Sequence, residues 1–133
     1  MNCPCCSGQN FEECCQPFLN GDAKPKTAEE LMRSRYTAYA IVAVDYLLRS
    51  THPSVRKLHD AESIETWAKT NRWEKLEIVS KTEGEAKDKK GTIEFKAYFL
   101  DENHQPQIHH ELSNFRKELG KWFFVDGKIL SAF

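Results

Sequence analysis

T-A-E-E-L-M-R-S-R-Y-T-A-Y-A-I-V-A-V-D-Y-L-L, residues Thr27 to Leu48, is the stretch whose reading decides the fold. It is the one long segment with sustained helical periodicity. Leu31, Ala38 and Val42 fall on one stripe. Met32, Tyr36, Tyr39, Ala43, Tyr46 and Leu47 lie beside it at i+3 and i+4 steps. The pattern predicts a single helix over 27–48, with an apolar face wide enough for a sheet to close against it. Thr27 stands at the N-cap, Glu30 at the reciprocal capping-box position, and Pro25 just outside. Glu29–Arg33 and Asp45–Arg49 are i,i+4 pairs of favourable order, each worth ~0.2–0.5 kcal/mol. The run Ser50-Thr51-His52-Pro53 ends the helix.

Downstream, Asp60 is placed to cap a short helix over 61–70, with Ile64, Trp67 and Ala68 facing inward. Trp67 and Trp73 both read as core residues. Residues 73–81 read as a strand with Leu76 and Ile78 on one face. Gly84–Lys90 is a charged hairpin connection, expected to be solvated. Residues 91–101 alternate, with Ile93, Phe95, Ala97 and Phe99 set against the core. Residues 107–118 form a long strand of two sets, one of which carries His109, Glu111, Ser113 and Phe115. Gly120 turns the chain into a last strand, 122–126, ending at Gly127. Two helices followed by a meander of about four antiparallel strands give an α+β fold with the helices on one face. His109 and His110 are adjacent on a strand, so they point to opposite faces and cannot share a ligand. His110 reads as a satisfied strand histidine and His52 as a turn histidine.

Composition sets the class. Of 133 residues, 40% are hydrophobic and 29% charged, an ordinary globular profile for one domain with at most a small appendage. Nineteen basic residues against 20 acidic ones argue against a partner held by phosphate neutralisation. Residues 1–23 have neither the basic start nor the apolar run of a secretory signal. The longest apolar run, Ala38–Val44, is far short of the ~20 residues a membrane helix needs. All five cysteines lie in the first 15 residues, where a disulfide scaffold would spread them out. The expected compartment is the reducing cytoplasm, with the thiols used for metal.

The cysteines are Cys3, Cys5, Cys6, Cys14 and Cys15. Two close pairs of thiolates, with Ser7-Gly8 for the return turn, suit tetrahedral zinc. Cys3, Cys5, Cys14 and Cys15 are the expected ligands. Cys6 is left as a substitute for Cys5 or as a free thiol. Phe11 can pack under the turn, and Pro17-Phe18 can close it. A closed four-cysteine site is structural, because no coordination position stays open for water or substrate. Iron is the alternative ion.

N-C-P-C-C-S-G-Q-N-F-E-E-C-C resembles the SEC-C motif, the metal knuckle at the carboxyl end of the SecA translocation ATPase. The match holds at Cys3, Pro4, Cys5, Ser7, Gly8, Phe11, Cys14 and Cys15, and departs at Cys6, where glycine is usual. SecA-type knuckles carry lysines between the cysteine pairs and dock on acidic partners. This one carries Glu12 and Glu13, and zinc held by four thiolates adds about two more negative charges. Docking on an acidic chaperone or on RNA through this face is therefore not carried over. L-M-R-S-R-Y-x-A-Y at Leu31–Tyr39, then D-Y-L and T-H-P, resembles the YchJ-like family of small bacterial proteins. So do E-x-S-x-F at Glu111, Ser113 and Phe115, and W-x-x-V-D-G at Trp122, Val125, Asp126 and Gly127.

That resemblance implies a metal knuckle at 1–23 joined to a cone-shaped domain of the nuclear transport factor 2-like kind at 24–133. In such a cone a long helix lies against a bent antiparallel sheet. Arg35, between the apolar stripes, is then a candidate buried guanidinium, with Glu111 as its partner. Arg33 sits on a solvated face. Arg35, Tyr36, Tyr39, Glu111, Ser113, Phe115 and Trp122 are the pocket candidates. No coherent catalytic set appears in the sequence, and none is assigned.

Three readings follow. One is an accessory or docking protein that meets a protein partner through the knuckle. Another is a small-molecule binder or an isomerase- or dehydratase-type enzyme, with Glu111 as base and Tyr36, Tyr39 or Arg35 as oxyanion donors. The third is a ribosome or RNA contact through Arg49, Arg56, Lys57, Lys69, Arg72 and Lys75. A homodimer through an exposed Trp122–Val125 strand is a further expectation.

Overall fold

The computed structural model describes residues 1–130. Thr27 caps the central helix as its position demands: its hydroxyl accepts from Glu30 N–H at 3.1 Å. Glu30 reaches back one residue further than a capping box requires, taking the N–H of Lys26 at 2.7 Å. Four helices and four strands follow one another: α1 (Gln16–Asn20), α2 (Ala28–Ala40), α3 (Val44–Arg49), α4 (Ala61–Thr70), β1 (Arg72–Glu83), β2 (Lys90–Leu100), β3 (Pro106–Glu118) and β4 (Lys121–Ile129). No helix among the described residues is long and apolar enough to cross a membrane.

The single helix expected over 27–48 is two helices. Val42 adopts φ +61°. Ala43 N–H bonds to Ala38 O at 2.7 Å and Val42 N–H to Tyr39 O at 3.2 Å. That pair of bonds is a Schellman stop, with Val42 in the left-handed position that glycine usually fills. The reversal lets α3 fold back on α2. Ser34 Oγ lies 2.6 Å from Tyr46 Oη, and Tyr46 and Leu47 pack on Ala38. Both i,i+4 ion pairs form, Glu29–Arg33 at 2.9 Å and Asp45–Arg49 at 3.3 Å. Helix α4 starts where expected, with Asp60 Oδ2 accepting from Ser63 N–H at 2.9 Å.

The sheet is antiparallel in the order β1-β2-β3-β4. Its inner face packs on α2. Ile93, Phe95 and Ala97 of β2, Leu76 of β1, Phe115 of β3 and Trp122 of β4 meet Leu31, Met32 and Tyr36. The alternation of β2 is regular along its length, as its sequence predicts. In β1 a bulge between Trp73 and Lys75 shifts the parity, so Trp73 joins Leu76 and Ile78 against the core.

Several expectations change. Trp67 is not core: it is 41% exposed, with one edge of its ring against Trp73 and Phe99. Trp122 is buried, not exposed, and its indole N–H donates to Lys26 O at 3.1 Å. The hairpin 84–90 is solvated except at its root, where Gly84 O accepts from Ala28 N–H at 2.9 Å and Gly84 is buried. Arg33 is not on a solvated face. Its Nη1 donates to Cys5 O at 2.7 Å, tying the cysteine segment to α2.

Candidate metal centre and cone cavity

The first 15 residues form a short loop. Asn2 pairs with Asn10, Cys3 N–H bonds to Gln9 O at 2.8 Å, and Gly8 turns the chain at φ +89°. A tight turn at Phe11–Glu13 then brings Cys14 and Cys15 back. Phe11 packs against the cysteines, and Phe18 and Leu19 of α1 pack with the α2–α3 corner. Helix α1 ends on the same kind of stop as α2, with Gly21 at φ +84°.

The sulfurs of Cys3, Cys5, Cys14 and Cys15 all lie within 4.8 Å of one another. Cys5 and Cys14 are 3.6 Å apart, and Cys14 and Cys15 3.9 Å. Four sulfurs about 2.3 Å from a central ion stand about 3.8 Å from each other in a tetrahedron, so the donor set fits. Cys3, Cys5 and Cys15 are buried. Surrounding donors face the sulfurs. Thr37 Oγ1 donates to Cys15 Sγ at 3.4 Å and lies 3.6 Å from Cys3 Sγ, and Ser7 Oγ lies 3.2 Å from Cys14 Sγ.

Among the thiols themselves, the donated Cys15 bond outweighs burial and draws Cys5 down to about 4. Burial pushes Cys14 up to about 11, and the bond to Cys5 raises Cys15. Cys6 stands apart. It is exposed, at φ +66°, with its sulfur 3.5 Å from Leu76 N–H.

At the far side of α2 a cavity of about 230 Å³ opens between α2, α4 and the sheet. Arg35, Tyr36, Tyr39, Glu111 and Ser113 line it. Phe115 and Trp122 lie in the core outside it. Trp67, Trp73, His59, His109 and Phe124 share the wall with Met32, Phe95 and Ala97. His109 was legible: it shares strand parity with Glu111 and Ser113.

Arg35 and Glu111 do not pair. Glu111 Oε1 takes His109 Nε2 at 2.7 Å and Oε2 takes the Ser113 hydroxyl at 2.6 Å. The nearer partners win, and Arg35 acts on Glu111 only at a distance. Burial works against the Glu111 charge, but the bonds from His109 and Ser113 and the charges of His109 and Arg35 outweigh it, so its carboxyl sits below the usual range. Gly127 crosses directly behind: a Cβ there would stand 2.0 Å from Glu111 Oε2. His59 is lowered by burial and by Arg35. His110 pairs with Glu94 at 2.7 Å on the outer face, as read from its alternation. His52 is a turn histidine, its Nδ1 accepting from Ser54 N–H at 3.1 Å; Nε2 lies 2.9 Å from Glu118 Oε2, off the hydrogen-bond axis.

The family profile described as "YchJ, middle NTF2-like domain" matches residues 27–127. The chain belongs to the YchJ-like family. A UPF0225 protein of Geobacter sulfurreducens is 43% identical over 125 residues, 94% of this chain and 77% of that protein. A UPF0225 protein of Haemophilus influenzae is 42% identical over 128 residues, 96% of this chain and 78% of its own length. Among solved structures, a SEC-C motif containing protein from Rhodopseudomonas palustris superposes with a TM-score of 0.90 at 37% identity, covering 98% of this chain and 100% of that one. One from Psychrobacter arcticus does so with a TM-score of 0.81 at 33% identity, covering 98% and 84%. The family shares the nuclear transport factor 2-like α+β cone, and these neighbours carry the SEC-C motif in their descriptions.

Proposed function

We propose that this chain is a zinc-braced accessory protein: a structural metal knuckle, residues 1–23, fixed to the head of a binding cone, residues 24–133. The supporting observation is the geometry of the four sulfurs, all within 4.8 Å, with Cys6 held apart from them. The surroundings agree with a structural role. Arg33, Thr37 and Arg49 of the helical pair donate to Cys5 O, Cys15 Sγ and Leu19 O, at 2.7, 3.4 and 2.5 Å. A zinc ion with Cys3, Cys5, Cys14 and Cys15 has no position left for substrate, and its binding free energy supplies the folding of a segment that lacks its own apolar core. Iron suits the same four thiolates and is the competing ion.

A partner docking on the knuckle meets a negative face, with Glu12 and Glu13 both exposed. Three of the six basic residues considered for RNA contact are engaged within the chain. Arg49 and Arg56 donate to backbone carbonyls, and Lys69 pairs with Glu65. Glu111 as a catalytic base is disfavoured, because donors hold it in the charged form and below the range useful for taking protons near neutrality.

The test is metal content. Protein purified without tag or chelator is analysed by elemental mass spectrometry, beside a Cys14→Ser, Cys15→Ser variant. The reading expects one zinc per chain, lost in the variant while the helical circular-dichroism signal of the cone persists. A wild-type chain free of metal that takes up no added zinc would overturn it.

A further inference from the structure

Arg35 is 6% exposed, and its hydrogen bonds all leave from one nitrogen. Nη1 donates to Leu47 O at 2.9 Å, to Ser50 Oγ at 2.7 Å and to Thr51 Oγ1 at 3.3 Å. The guanidinium face rests on the Phe124 ring, 4.5 Å from its centroid. Nε and Nη2 donate to none of the described residues, and no carboxylate pairs with them. Nor are they sealed in, since among the described residues His52 Nε2 is the one buried side-chain polar atom without a partner. The open space that Arg35 lines is the cone cavity. A buried cation left without a counterion is costly, whereas the Nε–Nη2 edge of a guanidinium matches the two oxygens of a carboxylate.

We propose that the cone cavity binds a small aromatic carboxylate, gripped by the Nε–Nη2 edge of Arg35, with its ring among Tyr39, Trp67 and Trp73. This gives the binding cone of the proposed function its ligand class, and rests on that part of the reading alone.

Size, wall and charge each support that class. A protein cavity of about 150 Å³ holds benzene. At about 230 Å³ this one accommodates a single ring with a short acidic arm. Tyr39 and Trp67 stand 5.7 and 5.8 Å from Trp73, centroid to centroid, an aromatic wall suited to a flat guest. Trp67 also borders the open groove outside, along α4, and so marks the mouth.

The charged groups of the wall are Arg35, Glu111, His59 and His109. Glu111 has both oxygens engaged by His109 and Ser113, whereas the Nε–Nη2 edge of Arg35 meets no partner among the described residues. A phosphate dianion is the poorer fit. It would bring two charges to one guanidinium, facing the Glu111 carboxylate.

The full metal-loaded chain is titrated with phenylacetate, and in parallel with phenylacetamide, its neutral match. Binding is followed by tryptophan fluorescence and by the indole N–H signals of Trp67 and Trp73 in nitrogen-15 correlation spectra. The expected result is saturable phenylacetate binding that moves both indole signals, with the amide roughly tenfold weaker or more. Arg35→Lys keeps the charge and loses the fork, and is expected to weaken phenylacetate by a similar factor. Trp67→Ala, at the exposed mouth, leaves the fold intact and weakens binding several-fold. Equal binding of acid and amide, unmoved indole signals, or unchanged affinity in Trp67→Ala would each overturn the proposal. Should Arg35→Lys fail to fold, the acid–amide comparison and Trp67→Ala decide it. Metal content is measured on the same samples, so failure of the knuckle reading is seen separately.

Discussion

Gly127→Ala is the most revealing single change. Its new Cβ would lie 2.0 Å from Glu111 Oε2 and 2.5 Å from Glu111 Cδ, so the carboxylate has to leave. Leaving breaks the bonds from His109 Nε2 and Ser113 Oγ, at 2.7 and 2.6 Å. Hydrogen bonds to a charged group are worth about 1.5–3 kcal/mol each. The displaced carboxylate recovers part of this from water entering by the cavity. A net loss of about 2–3 kcal/mol remains, which for a chain of this size lowers Tm by about 8–12 °C. The assay is a double-mutant cycle with Glu111→Ala, read by urea unfolding. Without the Glu111 side chain the three atoms nearest the new methyl are gone, and replacing glycine by alanine restricts the unfolded chain. In that background Gly127→Ala should be neutral or stabilising by about 0.5 kcal/mol. An equal loss in both backgrounds would refute the idea that Gly127 exists to admit the carboxylate.

Three more predictions follow from the same geometry. Val42→Gly relieves a branched residue held at φ +61° and should raise stability by about 0.5–1 kcal/mol, seen as a higher urea midpoint at unchanged slope. Thr37→Val removes the hydroxyl that donates to Cys15 Sγ and should lower metal affinity about 10–100-fold in competition with a chromophoric chelator, leaving helix content unchanged. Glu111 lies below its usual 4.5 in the folded chain, so its contribution to stability is fully present above about pH 4.5 and is lost as pH falls through the folded value. The stability gap between wild type and Glu111→Gln should therefore narrow below that pH in parallel unfolding curves.

What the sequence could and could not show follows from which interactions are local. The alternation of Ile93, Phe95, Ala97 and Phe99, the Thr27 and Asp60 caps and the cysteine spacing are local signals; the strand and both caps are present, and the four cysteines lie close enough together to hold a metal ion. The break at Val42 was hidden because a stop of that kind normally announces itself with glycine, as it does at Gly21. The apolar stripe of α4 marks Trp67 as core, but of that stripe Ile64 and Ala68 pack inward while Trp67 lines the cavity. The Arg35–Glu111 pairing failed for a related reason. Strand parity puts His109, Glu111 and Ser113 on one face, and the two neighbours on its own strand reach the carboxylate first. The purpose of Gly127 is a tertiary contact, invisible until β4 lies beside β3.

The first coordination sphere of the bound metal decides whether the knuckle is closed. X-ray absorption at the metal edge of the purified full chain measures it. The prediction is four sulfur neighbours at about 2.3 Å and no nitrogen or oxygen in the first coordination sphere. Fewer than four sulfurs, or a first sphere completed by histidine, carboxylate or water, would contradict the closed structural knuckle and with it the division of labour between knuckle and cone.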